Sequence, residues 1–258
     1  MIETISQSKA NAFFRCAEQF RRIYLENERI APGIALHKGR AVHSGAEHAN
    51  RVKAATGNDA PLDEVTDATR DSFVNGSKCE GIFLLPEEVS EKRRILNEGL
   101  NESIELAAAY RIKVVPGFKE VAVVEEYMTA DVGLELPISG KPDLTADGII
   151  RDIKTAAKKW PAGKEDTEIQ PTIYRMLLRE NGKGELPAEF VILSNSKTGV
   201  NIDVRQASRT ERDEQVLKHR LQVMIDMMTA GIYPPAEPGS WMCSPRWCGF
   251  YYQCKYCK

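Results

Sequence analysis

Long apolar runs are missing from this 258-residue chain. The longest, such as 121–124 and 190–193, have only the length of strands, so no membrane span and no membrane partner is expected. The first residues, MIETISQSKANAFFRC, lack the basic flank and extended apolar core of a secretory signal, which makes the cytoplasm the expected location. A strong charge of either sign is missing as well: 35 Lys and Arg stand against 37 Asp and Glu. That balance neither favours nor excludes nucleic acid, because a near-neutral protein can still carry a local basic groove. Arg21, Arg22, Lys38, Arg40, Lys154, Lys158, Lys159 and Arg175 are the candidates for one. No Gly-x-x-x-x-Gly-Lys-Ser/Thr loop is present, so the chain carries no nucleotide-driven motor of its own.

What is present is ordinary globular composition, 42% hydrophobic and 28% charged. A single unit over 1–258 is expected, of α/β class: a central mixed β-sheet flanked by helices. Within it, 1–115 read as mainly helical, 116–206 as the sheet core, and 207–258 as a helix followed by a cysteine-rich tail. Apolar spacing predicts a helix over 6–28 with Ser8 as N-cap, and others from about Lys38 past His48, near 62–75, and over 86–110. Strands are expected over 119–130, 134–142 and 148–152, the last two joined through the Asp147-Gly148 turn. A helix over 166–181, a hairpin pair at 188–194 and 200–206, and a helix over 209–230 complete the pattern.

The chemistry concentrates between Gly140 and Tyr174. Asp143 is placed at the end of one strand and Asp152 at the end of the next, so their carboxylates can share a cation. Hard oxygen ligands suit Mg2+ or Mn2+, and the Ile153 carbonyl is a further candidate. Lys154 lies two residues beyond Asp152 and faces the same way on a strand, where an ammonium can offset charge developing on a phosphate. Gln170 and Tyr174 share one helical face and can both point at the site. Asp-x-Lys alone is a weak signal; the company raises it. Glu125 and Glu126 are read as a solvated strand face, with support of a second metal as the other option.

Together these residues resemble the PD-(D/E)XK nuclease superfamily in its RecB-like exonuclease branch, which includes CRISPR-associated nucleases and the nuclease domains of recombination helicases. The resemblance implies a restriction-endonuclease-like core. It further implies metal-binding aspartates at Asp143 and Asp152, a catalytic lysine at Lys154, and the branch's Gln-x-x-x-Tyr helix at Gln170 and Tyr174. It also implies a histidine ligand at His43, since Gly39-Arg-Ala-Val-His43-Ser-Gly-Ala-Glu47 fits the branch's Gly-x-x-x-His-x-x-x-Glu pattern. Alone, His43 would more often be structural. The activity so implied is metal-dependent hydrolysis of DNA at ends or in single strands, in recombination, repair, phage or CRISPR-related processing. A helicase or recombination partner would then supply strand separation. The alternative expectation is an inactive nucleic-acid-binding or assembly module, which loss of the lysine or an aspartate would have favoured.

Six cysteines are unevenly spread: Cys16, Cys79, and then Cys243, Cys248, Cys254 and Cys257 in the tail. Clustered thiols in a reducing compartment point to a metal, and the spacing admits either a tetrahedral zinc site or a [4Fe-4S] cluster. The resemblance favours the cluster, with one cysteine from the first helix and three after the last. That assigns Cys16, Cys243, Cys248 and Cys254, and leaves Cys257 as a spare. The zinc alternative uses the four tail cysteines instead.

Overall fold

Ser6 starts the first helix by accepting from the Lys9 amide, a cap placed two residues before the expected Ser8. The computed structural model describes residues 2–257. Strand β1 (Ile5–Ser6) leads directly into α1 (Gln7–Arg15) and α2 (Ala17–Phe20), followed by a π-helical turn over Arg21–Leu25. The single helix expected over 6–28 is therefore broken. At the break Cys16 is extended, φ −164° and ψ 100°, and its thiol accepts from the Gln19 amide at 3.4 Å, which starts the helix again.

Three long helices follow: α3 (Ile34–Thr56), α4 (Leu62–Cys79) and α5 (Lys92–Lys113). Helix α3 begins four residues before Lys38, at the Pro32-Gly33 turn. Gly45 lets α3 and α4 approach closely, since a methyl there would meet the Thr69 hydroxyl at 2.1 Å and the Val65 carbonyl at 3.0 Å.

The sheet region is β2 (Val121–Val124), β3 (Met128–Ala130), β4 (Ile138–Gly140), β5 (Leu144–Ala146) and β6 (Ile149–Ala156). It continues through α6 (Lys164–Thr167), α7 (Gln170–Glu180), β7 (Ala188–Ser196), β8 (Gly199–Gln206) and α8 (Glu211–Thr229). Five strands form a mixed sheet in the order β2-β5-β6-β7-β8, in which β6 and β7 are parallel and the other pairs antiparallel. A second sheet, β1-β4-β3, was not expected.

Two strand predictions fail. Glu125 takes a left-handed φ of 49°, which breaks the predicted 119–130 strand and sends its halves to different sheets. The segment from 134 likewise contributes only β4, and Asp143 sits in the bend between β4 and β5 rather than closing a strand. Asp152 lies in the middle of β6, not at its end. The Asp147-Gly148 turn joins β5 to β6 as predicted, with φ of 52° and 72°.

Apolar side chains pack on both faces of the main sheet. Ile150, Phe190 and Ile192 join α1, α7 and α8 on one side, while Ile153, Val191 and Leu193 join α3 and α5 on the other. Alternation along β6 then turns Asp152 and Lys154 toward α7, as Ile150 is. The alternating apolar pattern thus leaves polar side chains on β6 just where the apolar layer thins.

Candidate metal and catalytic site

Helix α3 crosses β6 at Gly39, where a methyl would lie 3.4 Å from the Thr155 hydroxyl. One turn later the same face of α3 brings in His43, whose Nδ1 lies 3.4 Å from Asp143 Oδ1 and 3.9 Å from Glu125 Oε1. The ligand atoms of these three residues all lie within 4.8 Å of one another. Sequence reasoning favoured a solvated strand face for Glu125, with metal support only as the other option. The left-handed turn that ends β2 swings it away from solvent, its side chain is 12% exposed, and Lys141 Nζ holds its other oxygen at 2.9 Å. The one available signal was position, one residue past an apolar run. Glu126 does stand in solvent, paired with Lys183 at 3.1 Å.

Asp143 is fixed from its far side by the Ile153 amide, which donates to Oδ2 at 2.6 Å. A residue's amide and carbonyl point to the same edge of an extended strand, so the Ile153 carbonyl also faces Asp143, beyond the end of the β5 ladder. Asp152 is almost fully buried, its Oδ2 2.7 Å from Lys154 Nζ, and neither oxygen has a hydrogen bond of proper geometry among the described residues. Asp152 stays outside the tight His43–Glu125–Asp143 trio, though near enough to act on both His43 and Asp143.

Lys154 is positioned from α7. Its Nζ donates to Gln170 Oε1 at 2.5 Å; Gln170 Nε2 donates to the Tyr174 hydroxyl at 2.7 Å; and that hydroxyl donates to the Lys141 carbonyl at 3.0 Å. Gln170 opens α7 and Tyr174 follows one turn on, so the i, i+4 spacing does put both on the site side.

The electrostatics follow from burial and crowding. Burial disfavours the His43 imidazolium, but Asp143, then Glu125 and Asp152, overcome it and push the pKa up to about 10. Burial pushes Asp152 up to about 7, with Lys154 opposing and Asp143 adding. Asp143 is buried too, yet His43 and Lys154 hold it below the usual carboxylate range. Burial works against the Lys154 ammonium, but Asp152 and Asp143 raise its pKa, so it keeps its charge.

A divalent cation fits this donor set on the structure's own terms. Buried carboxylate oxygens without hydrogen-bond partners are costly unless a cation meets them. One imidazole among carboxylates is a hard, mixed set of the kind Mg2+ and Mn2+ accept.

Of the candidate groove cations, Arg21, Arg22, Lys38, Arg40 and Arg175 are engaged in ion pairs with Glu18, Glu102, Glu80 or Glu185. Lys158 and Lys159, on the loop leaving β6, have no ion-pair partner among the described residues. In the tail, Cys16, Cys243 and Cys254 all lie close enough to act on the Cys248 thiol, which burial raises. Cys257 is half-buried, and burial with the neighbouring Cys254 and Cys243 pushes its thiol up to about 12. No three of these sulfurs lie within 4.8 Å of one another among the described residues. A closed zinc site with Zn–S near 2.3 Å needs sulfurs about 3.8 Å apart. Cys79 is exposed, at the end of α4.

The chain matches the PD-(D/E)XK nuclease superfamily over residues 4–257 and belongs to it. Its α/β fold, with mixed sheets flanked by helices, is the restriction-endonuclease-like architecture of that family. The crystal structure of a "putative exonuclease" from Eubacterium rectale shares the fold, with a TM-score of 0.60 at 14% identity over 95% of this chain and 88% of that one. No curated protein matches the chain by sequence.

Proposed function

We propose that this nuclease-family chain is a Mg2+- or Mn2+-dependent deoxyribonuclease of the RecB-like branch, acting as an exonuclease on DNA ends or single strands. The observation that carries the reading is Asp152: a buried carboxylate whose only close partner among the described residues is the charged Lys154, 2.7 Å from Oδ2, beside the His43–Asp143–Glu125 trio. His43, Asp143, Asp152 and the Ile153 carbonyl are the proposed ligands, with Glu125 added from the structure. When bound, the cation lowers the pKa of a coordinated water and offsets charge on the scissile phosphate. Lys154 contributes an ammonium aimed at that phosphate, held in place by Asp152 and Gln170. Gln170 and Tyr174 act through Lys154, as positioning residues anchored to the Lys141 carbonyl. Lys158 and Lys159 are the proposed contacts to backbone phosphates next to the site. The exonuclease assignment draws support from the Eubacterium rectale neighbour.

In the same reading Cys16, Cys243, Cys248 and Cys254 hold a [4Fe-4S] cluster, with structural Zn2+ the alternative. The gathering of soft thiols around Cys248, more widely spaced than zinc requires, supports it. The protein acts in the cytoplasm on DNA in recombination, repair, phage or CRISPR-related processing, with a helicase or recombination partner separating strands.

Digestion of end-labelled single- and double-stranded DNA with Mg2+ or Mn2+ tests the site. Lys154→Ala lowers kcat by about 10²–10³-fold and Asp152→Asn at least as much, both proteins remaining folded. Undiminished cleavage by either variant rejects the assignment.

A further inference from the structure

The catalytic cleft leaves the tail's aromatic surface unexplained. Residues 238–257 contain two tryptophans, one phenylalanine and three tyrosines, and no aspartate or glutamate, in a chain that is 7% aromatic and slightly acidic overall. Packing uses only part of this set. Phe250 is buried under the Arg22 guanidinium, 5.3 Å from its ring centre, and Gly249 fits against Ile30. Trp241, Trp247 and Tyr252 are instead 63%, 53% and 73% exposed, a large apolar area for a tail already anchored elsewhere.

Their arrangement is ordered. Trp241 and Trp247 meet edge to face, ring centres 5.4 Å apart and planes at 88°, so the pair leaves broad ring faces open. Arg246 lies 5.9 Å over the Trp247 ring and Lys255 4.9 Å over that of Tyr256. Beside Trp241 a groove of about 640 Å³ runs between residues 14–15 and 235–242, with Arg15 and Glu237 as its charged walls. Around the groove and the tryptophans, Arg15, Arg246 and Arg220, which lies 4.2 Å over the Phe14 ring, stand against Glu237 on a protein whose net charge is −2.

Open indole faces interleaved with guanidinium groups match what an unpaired strand offers, a π-surface at every base and a negative charge at every phosphate. Resting on the nuclease reading for the class of polymer, we infer that Trp241 and Trp247, with Arg246, form a stacking platform for single-stranded nucleic acid outside the cleavage site.

The test compares the folded, fully loaded protein with Trp241→Ala/Trp247→Ala and Trp241→Phe/Trp247→Phe. Binding of a labelled oligothymidylate is read by anisotropy without added divalent metal, and hydrolysis of bis(p-nitrophenyl) phosphate, too small to span both places, is read with Mn2+. The double alanine variant should lose about 10–100-fold in oligonucleotide affinity, the phenylalanine variant should recover most of it, and ester hydrolysis should be unchanged in both. Wild-type tryptophan emission should fall on binding. Oligonucleotide affinity within twofold of wild type in the alanine variant would overturn the platform and leave the face to a protein partner. A phenylalanine variant as weak as the alanine one would also overturn it, by removing stacking as the cause. Oligonucleotide binding without hydrolysis of either DNA or the ester would instead end the nuclease reading while the platform stood.

Discussion

Burying a carboxylate with the Lys154 ammonium as its one close partner costs free energy that a folded chain rarely tolerates outside a functional site, and Asp152 is held this way in the middle of β6. Its pKa of about 7 lies above the ordinary 3.8, so the fold penalises the ionised form. That penalty is absent below pH 3.8 and complete once pH has passed 7. His43 has a folded value of about 10 against 6.5; its contribution to stability is complete below pH 6.5 and lost as pH rises through 10. Both groups therefore make the metal-free protein less stable as pH rises, and both must release protons before they can bind a cation. The rise in Tm given by a fixed Mn2+ concentration should be larger at pH 8 than at pH 6, and should nearly vanish in Asp152→Asn. Equal shifts at the two pH values would contradict the site. Gln170→Ala frees Lys154 without touching the cation's ligands, so kcat should fall about 10–100-fold while the Mn2+-induced shift in Tm persists. These side chains were legible in sequence as a set, because fixed spacings on a strand and a helix carry them. Glu125 was not, because a left-handed turn at a glutamate leaves no mark in an alternating apolar pattern.

Among the elements, the long amphipathic helices and the strands that become β6, β7 and β8 follow from periodicity and were readable with errors of a few residues, whereas the parallel pairing of β6 with β7 was not. Short strands were not. Only three residues each form β3, β4 and β5, and which sheet each joins is decided by contacts distant in sequence, such as Ile5 with Ile138. Gly140 shows how tightly these pieces meet α7: a methyl there would come within 2.7 Å of Leu177 Cδ1 and 3.1 Å of Tyr174 Cε1. Gly140→Ala should cost about 1–3 kcal/mol in urea unfolding and also lower activity, because the ring it displaces ends the hydrogen-bond chain to Lys154. A variant as stable as wild type would show that α7 is free to shift.

For the molecule as a whole, the tail acts as a clasp. Glu18 is buried and pairs with Arg21 and Arg22, Arg22 covers Phe250, and the Glu18 amide donates to the Pro234 carbonyl at 3.3 Å. The break at Cys16 turns a thiol toward the tail cysteines, which an uninterrupted helix would not do; sequence reasoning found the cysteine but not the break. On the proposed [4Fe-4S] reading, Cys16→Ser bleaches the visible absorbance of anaerobically purified protein and lowers its Tm. Colour and stability indifferent to that change would remove Cys16 from the proposed ligands.

The parallel pairing of residues 5 and 6 with 138 and 139 also orders events at the ribosome. Residues 5 and 6 have no strand partner until 138 and 139 have been made, and the helix behind them waits longer still, for residues 234 to 250. Until then Ile5, Phe13 and Phe20, which end buried, lack part of their cover. The nascent chain therefore exposes apolar surface to off-pathway contacts at a stage that the finished fold has left behind.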